Sequence, residues 1–452
     1  MTEGHNKRRE ELREIFAAAL AAVAPDAAVT RHVHLAAGGR RLEAGGRSWD
    51  LDRGSVRVVG AGKGAAPMAQ ALENLLGAHI AEGFVVVKYG HHLPLRHMDM
   101  AQAAHPVPDA AGVAAARRIL EIAHDCAPGD LLICLLTGGA SALTAAPAPG
   151  LTLGDLQATT NLLLQCGATI HEVNAVRKHL SSLGGGQLAA AANGADVLGI
   201  IVSDVVGDAL DVIASGPTSP DPSTFAQCLE ILDRYHILEQ IPAPARERLK
   251  AGAAGRIPET PKPGDPLFER VCNVLAATNR QALEAAAAKA EALGVEARIL
   301  TDSLTGEARD VAAELVAEAR NTATALKPGD RSVCLLAGGE TTVTLRGKGL
   351  GGRNQEMALA AALALENVPG ISGIFAGTDG TDGPTDAAGG FVDAGSIARI
   401  GGRKAAEAFL EKNDSNAALV AAGDLLITGP TRTNVMDLAA LLVDAPAGPE
   451  RA

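Results

Sequence analysis

Aromatic side chains make up only 2% of this chain of 452 residues, so its cores cannot be built on stacked rings. They must be filled by small and aliphatic side chains, since 47% of the residues are apolar and 51 are glycine. Such a composition lets helices lie close on a sheet, and it favours helices packed on a parallel sheet. Positive charge is also short: the formal net charge is −12, and no basic stripe with interleaved aromatics occurs. A phosphate backbone would be repelled, which excludes nucleic acid as a partner. A small anion remains compatible, because a few local cations can override the overall field. No apolar run reaches the length of a membrane span, which excludes a membrane protein. The six cysteines, at 126, 134, 166, 228, 272 and 334, form no Cys-x-x-Cys pair. Several lie inside apolar runs and read as buried small hydrophobes in a reducing, cytoplasmic compartment. Lys7, Arg8 and Arg9 before the apolar stretch 15–24 imitate a signal peptide. Glu10, Glu11 and Glu14 break that pattern, and the helical spacing predicts an amphipathic first helix instead.

The length predicts two or three domains. Apolar stretches at 55–60, 84–88, 131–136 and 198–203 alternate with helical periodicity at 65–76 and 110–124, the βαβ rhythm of a parallel sheet. Between 241 and 267 stand Pro242, Pro244, Pro258, Pro261, Pro263 and Pro266, with little apolar periodicity. The rhythm then restarts, with strands expected at 295–300, 332–337, 371–376 and near 425–428. The expected organisation is therefore an N-terminal domain over 1–240, a Pro-rich linker over 241–267 and a smaller C-terminal α/β domain over 268–452. One echo links the halves: Pro128-Gly129-Asp130 leads to Gly138-Gly139, and Pro328-Gly329-Asp330 leads to Gly338-Gly339. Each copy predicts a buried strand ending in a glycine turn, where open α/β sheets bind ligands.

Six segments could carry chemistry. Gly60-Ala61-Gly62-Lys63-Gly64 follows a strand and precedes a helix. It reads either as a loose dinucleotide fingerprint through Gly60 and Gly62 or as a mount for Lys63, a point charge aimed at an anion. The spacing excludes a Walker A loop, since Lys63 is followed by glycine. Thr137-Gly138-Gly139-Ala140-Ser141 offers amides and two hydroxyls as a phosphate nest. On a helix, Asn174 shares a face with Arg177 and with Lys178, marking either a substrate-binding face or a solvated basic one. Asp204 ends a buried strand, placed to accept a hydroxyl proton or hold Mg²⁺, and Asp208 follows four residues later. Arg353 follows Gly351-Gly352 and opens a helix, so guanidinium and helix amides together would clamp an anion; Asn354 adjoins it. Asp379 and Asp382 lie in a Thr-Asp-Gly-Thr-Asp-Gly loop with the look of a cation site, though not an EF-hand. Cations and amides for phosphates, carboxylates for a metal and a base for an alcohol form the inventory of phosphoryl transfer.

With these segments in order, the chain resembles the two-domain glycerate 2-kinases, grouped with hydroxypyruvate-reductase-like proteins of tartrate degradation. The resemblance also rests on His105-Pro106-Val107-Pro108-Asp109 and Ala214-Ser215-Gly216-Pro217-Thr218, and it spans nearly the whole chain. It implies two α/β domains, the N-terminal one a Rossmann-like three-layer parallel sheet, with the active site in the cleft between them. It further implies ATP and a divalent cation, Mg²⁺, acting on D-glycerate to give 2-phosphoglycerate. Lys63 and Arg353 are the implied catalytic cations. Gly138, Gly139 and Ser141, with Gly338, Gly339 and Glu340, are expected to bind nucleotide. Two departures reduce charge: Gly184-Gly185-Gly186-Gln187 stands where the family carries a Lys-Gly-Gly-Arg type segment, and Ala209 where an acid is common. The alternatives are an NAD(P)H-dependent hydroxypyruvate or tartronate reductase and a non-catalytic metabolite-binding relative. Homo-oligomerisation is left open.

Overall fold

The computed structural model describes residues 3–36 and 38–446. Strands β1 (Val33–Leu35), β2 (Arg41–Ala44) and β3 (Arg47–Asp50) form a small antiparallel sheet. Strands β4 (Val56–Ala61), β5 (Ile80–Lys88), β6 (Asp99–Ala103), β7 (Leu131–Leu136), β8 (Asp196–Val202) and β9 (Val271–Ala277) form a six-stranded sheet in the order β6-β5-β4-β7-β8-β9. From β6 through β8 every neighbouring pair is parallel. Every residue of β7, Leu-Leu-Ile-Cys-Leu-Leu, is buried, as a central parallel strand covered on both faces must be. The chain runs outward from β4 to β6, then returns to the other side of β4 as β7. That reversal puts a switch point between the carboxyl ends of β4 and β7, where open α/β sheets bind ligands. Helix starts are set by local chemistry: Asp109 caps the helix Ala110–His124 through the Gly112 amide, and Thr169 with Glu172 forms a capping box on Ile170–His179.

The second sheet comprises β10 (Glu296–Leu304), β11 (Val333–Gly339), β12 (Ile371–Gly377), β13 (Gly389–Asp393), β14 (Leu425–Leu426) and β15 (Asp437–Val443), in the order β10-β11-β15-β12-β13-β14. It is mixed rather than parallel: only β10–β11 is parallel, and β15 lies antiparallel between β11 and β12. The Ala-rich helix Arg353–Leu365 buries ten of its residues, including Asn354, Gln355 and Glu356, and packs against this sheet.

Contacts divide the chain into two units at positions different from those expected. The first unit runs over Pro25–Ser203 and Asp208–Ala276; the second takes the helix Glu3–Ala22, Asp204–Gly207 and the chain from Ala277. The Pro-rich segment is therefore no linker. Pro242 precedes the helix Ala243–Ala253, the Asp221 amide donates to the Pro261 carbonyl at 2.8 Å, and the Thr260 hydroxyl donates to Asp221 at 2.9 Å. These prolines fix extended chain that docks onto the first unit, and β9 still adds to that unit's sheet before the changeover. The first helix belongs to the second unit because Arg9 pairs with the buried Asp424, and the Arg9 and Arg13 guanidinium groups each lie 4.9 Å from the Phe391 ring centre.

Candidate active site

Two loops meet beyond the carboxyl ends of β4 and β7. Gly62 has a left-handed φ of 133°, and a Cβ there would lie 2.0 Å from the Thr137 hydroxyl, so only glycine fits. The amides of this turn are occupied by protein. Gly62 N donates to the Val86 carbonyl at 3.2 Å, Lys63 N to the Gly138 carbonyl at 2.9 Å, and Gly64 N to the Thr137 hydroxyl at 3.0 Å. The reading of Gly60–Gly64 as a pyrophosphate cradle fails for that reason: a dinucleotide needs those amides free. What the turn does is fix the backbone of Lys63. In the partner loop, Gly138 and Gly139 donate to no acceptor among the described residues. A Cβ on Gly139 would lie 2.9 Å from His105 and 3.6 Å from the Lys63 side chain, so the three residues border one space. Ser141 is tied to Ser215, Oγ to Oγ, at 2.9 Å. Ser215 follows Ala214, and both have left-handed φ values, 62° and 54°. Such backbone costs about 1 kcal/mol or more per residue and persists only where surroundings enforce it.

Arg177 and Lys178 are adjacent on one helix, yet their environments are opposite. Lys178 is 3% exposed and its ammonium lies 3.2 Å from both Asp211 and Asp221. Its expected role in substrate binding is thus corrected: its charge is spent inside the fold, bracing the 211–221 segment that carries Ser215. Asp221 is wholly buried and also accepts from Ser223 and Thr260; burial, the largest influence on it, is outweighed by the Ser223 hydrogen bonds and by Lys178 and His179, so its pKa lies below the ordinary range. Beside it the buried His179 contacts Glu259 through Nε2 at 3.0 Å. Lys178→Met should lower stability by about 3–5 kcal/mol by leaving Asp221 unpaired, visible as a large drop in melting temperature. A raised KM for a small anionic substrate with unchanged melting would contradict this and return Lys178 to the substrate.

Arg177 has no such partners. It is half-buried, pairs with no carboxylate among the described residues, and burial pushes its guanidinium below the ordinary pKa. One turn earlier, Asn174 is 5% exposed and its amide makes no hydrogen bond among the described residues. A half-buried guanidinium one turn from an amide with no protein partner is a suitable seat for a small anion. The Gly184–Gln187 departure has a structural explanation. The amides of Gly185 and Gly186 donate to the carbonyls of Ser215 and Gly216 at 2.8 and 2.7 Å, and Gln187 donates to three carbonyls, of Lys178, Ser181 and Gly184. This segment holds the strained turn with dipoles rather than charge. Nothing in the structure explains Ala209.

In the second unit, Arg353 is the first residue of its helix and is held from two sides. Its Nε and Nη2 form a bidentate pair with Asp437 at 2.5 and 2.9 Å, and Nη1 reaches Glu340 at 2.9 Å. Burial alone would lower Arg353, but Asp437, Glu340 and Asp382 outweigh it and keep the guanidinium charged well above its ordinary value. Burial lifts the Asp437 carboxyl, with Arg353 opposing. The expected clamp of guanidinium plus helix amides is corrected, because Asp382 already caps that helix. Its two oxygens accept from Asn354 N at 3.1 Å and Gln355 N at 2.8 Å, and it is 3% exposed. Asp382 is thereby a cap rather than an available metal ligand. Asn354 bridges Asp437 and Asp382 through Nδ2, at 2.9 and 3.2 Å. Gly338 and Gly339 are not a turn either: both lie within β11. A Cβ on Gly338 would meet Asn279 at 1.9 Å, and one on Gly339 the Leu304 backbone at 2.3 Å. Close packing requires these glycines, and the echo with Gly138-Gly139 ends there.

Asp204 is half-buried just beyond β8, 3.4 Å from the Asn434 amide. It groups with the second unit, whereas Asp208, with a left-handed φ of 54°, groups with the first. Asp379 accepts from the Thr381 amide and hydroxyl at 3.1 and 3.2 Å. Its loop is laced to the next one, since the Thr378 hydroxyl donates to the Met436 carbonyl at 2.6 Å. Among the described residues no three His, Cys, Asp or Glu side chains form a ready metal cage. Sequence reasoning missed Asp437, a lone acid before an apolar run, and also His105 as a neighbour of Lys63.

Comparison with known proteins fits this two-unit α/β architecture. Residues 11–250 match a family described as a domain of unknown function, DUF4147, and residues 333–437 match the MOFRL family. A glycerate 2-kinase of Pyrococcus horikoshii is 40% identical over 405 residues, covering 89% of this chain and 90% of its own. A protein of Agrobacterium vitis, provisionally named hydroxypyruvate reductase, is 40% identical over 98% of this chain and 96% of its own. A solved glycerate kinase structure from Thermotoga maritima superposes with a TM-score of 0.84 at 38% identity, covering 97% of this chain and 100% of that one. The class is therefore the two-unit α/β proteins that join a DUF4147 region to a MOFRL region. Within it, the chain belongs to the glycerate 2-kinase family.

Proposed function

We propose that this chain transfers the terminal phosphoryl group of ATP to the C2 hydroxyl of D-glycerate. One observation carries the reading beyond family membership: Lys63 and the undonated amides of Gly138 and Gly139 converge at the sheet's switch point. They suit the spread negative charge of a transferring phosphoryl group, for which positioning and electrostatics do most of the work. Asn174 and Arg177 would receive the glycerate carboxylate, the guanidinium bidentately. Asp204 would accept the hydroxyl proton. Arg353, fixed by Asp437 and Glu340, would neutralise phosphate oxygens, and Ser141 would orient them. The donor set fits a hard divalent cation: Mg²⁺ commonly uses one or two carboxylates and takes its other ligands from water and phosphate, so no preformed cage is required. Asp379 is the carboxylate that would hold it, with Asp204 as its second ligand where it does not serve as the base, and when bound it would supply further charge neutralisation.

The reading is tested by coupling ADP release to D-glycerate, L-glycerate and, with NADH in place of ATP, hydroxypyruvate. D-glycerate should drive ADP release. NADH oxidation by hydroxypyruvate without glycerate-dependent ADP would install the reductase instead. Within the kinase, Arg177→Ala should raise the glycerate KM by about 10–100-fold, the scale of a charge-assisted pair, and leave the KM for ATP nearly unchanged. An equal rise in both would place Arg177 on the nucleotide.

A further inference from the structure

A cavity of about 200 Å³ opens at the amino ends of β4, β7 and β8, the end of the sheet opposite Lys63. Six residues of β4 separate the two ends, roughly 16 Å or more along the strand. The polar side chains that line the cavity are those of Ser48, Trp49, Asp50, Arg53, Asp196 and Arg270. Trp49 is 8% exposed, and its indole N–H donates to no acceptor among the described residues. The indole nitrogen is not sealed from solvent, so a ligand in the cavity can reach it. Arg53 is exposed and pairs with no carboxylate among the described residues. Arg270 reaches Asp196 only at 3.7 Å, longer than a charge-assisted hydrogen bond. Asp50 turns one oxygen to the Asp52 amide at 3.1 Å.

We infer that this cavity is a second binding site, for a small oxyanion bearing a carboxylate or phosphate group. Arg53 and Arg270 supply forked donors, and Trp49 supplies a reachable indole donor that fixes orientation. Two carboxylates balance the two guanidinium groups, which selects a ligand of low charge and excludes a nucleoside triphosphate. The site stands independently of the kinase reading, since none of its residues belongs to the loops around Lys63.

Trp49 is the only tryptophan in the chain, so its fluorescence reports on this cavity directly. The full-length protein is titrated with inorganic phosphate, malonate and, at matched ionic strength, sodium chloride. Phosphate or malonate should change the emission saturably; the probe that does so shows whether phosphate or carboxylate is preferred. The response should persist in Lys63→Ala. In Arg53→Gln, an exposed substitution checked by its melting temperature, the half-saturating concentration should rise about tenfold or more. No saturable response to either probe, an equal response to chloride, or loss of the response in Lys63→Ala would each overturn the site.

Discussion

Lys63→Ala should cut kcat for D-glycerate-dependent ADP release by about 10²–10³-fold, the scale of one preorganised electrostatic stabiliser. The fold should survive, because backbone bonds of Gly62, Lys63 and Gly64 hold the turn, and the loss of rate should exceed any loss of melting temperature. Arginine at this position should recover only part of the rate, since its planar fork differs in shape from a compact ammonium. A variant with near-normal kcat would reduce Lys63 to a turn residue. So would a loss of rate that merely followed a loss of fold.

Arg353 carries the second large effect, on both stability and rate. Arg353→Ala leaves Asp437, only 4% exposed, without its counter-charge, and stability should fall by about 3–5 kcal/mol. Activity should fall at least ~10²-fold. A double variant separates the two roles. Arg353→Met with Asp437→Leu replaces a buried pair by apolar groups, which is often neutral for stability. The double variant should regain much of the melting temperature and none of the activity if Arg353 meets the phosphoryl group. Recovery of both would make Arg353 a scaffold residue.

The sequence was most legible where local patterns decide the outcome. The run 131–136 could only be a fully covered strand, and it is β7. The helices Ala65–Leu76 and Ala110–His124 follow from glycine and aspartate at their starts. Legibility failed where partners distant in sequence decide. Strand β15 reads as an Ala-Leu stretch with no period-2 alternation, and its place between β11 and β12 comes from pairing alone. Asp437, at its start, was hidden for the same reason. Prolines between 241 and 267 looked like a linker because composition cannot report that Thr260 and Pro261 bond to Asp221. The site divided likewise. Lys63 stood out by its glycines, and Arg177 and Lys178 looked alike until Asp211 and Asp221 claimed one of them. The glycine pair 338–339 imitated a ligand turn because close backbone packing demands the same residue.

The central claim is phosphoryl transfer to the secondary hydroxyl of D-glycerate, and phosphorus NMR of the product tests it most directly. With D-glycerate, ATP and Mg²⁺, a new phosphomonoester resonance should grow with ADP and be coupled to one proton, that on C2. A resonance coupled to two protons would place the phosphate on the primary C3 hydroxyl, and no glycerate-dependent resonance at all would contradict the kinase itself.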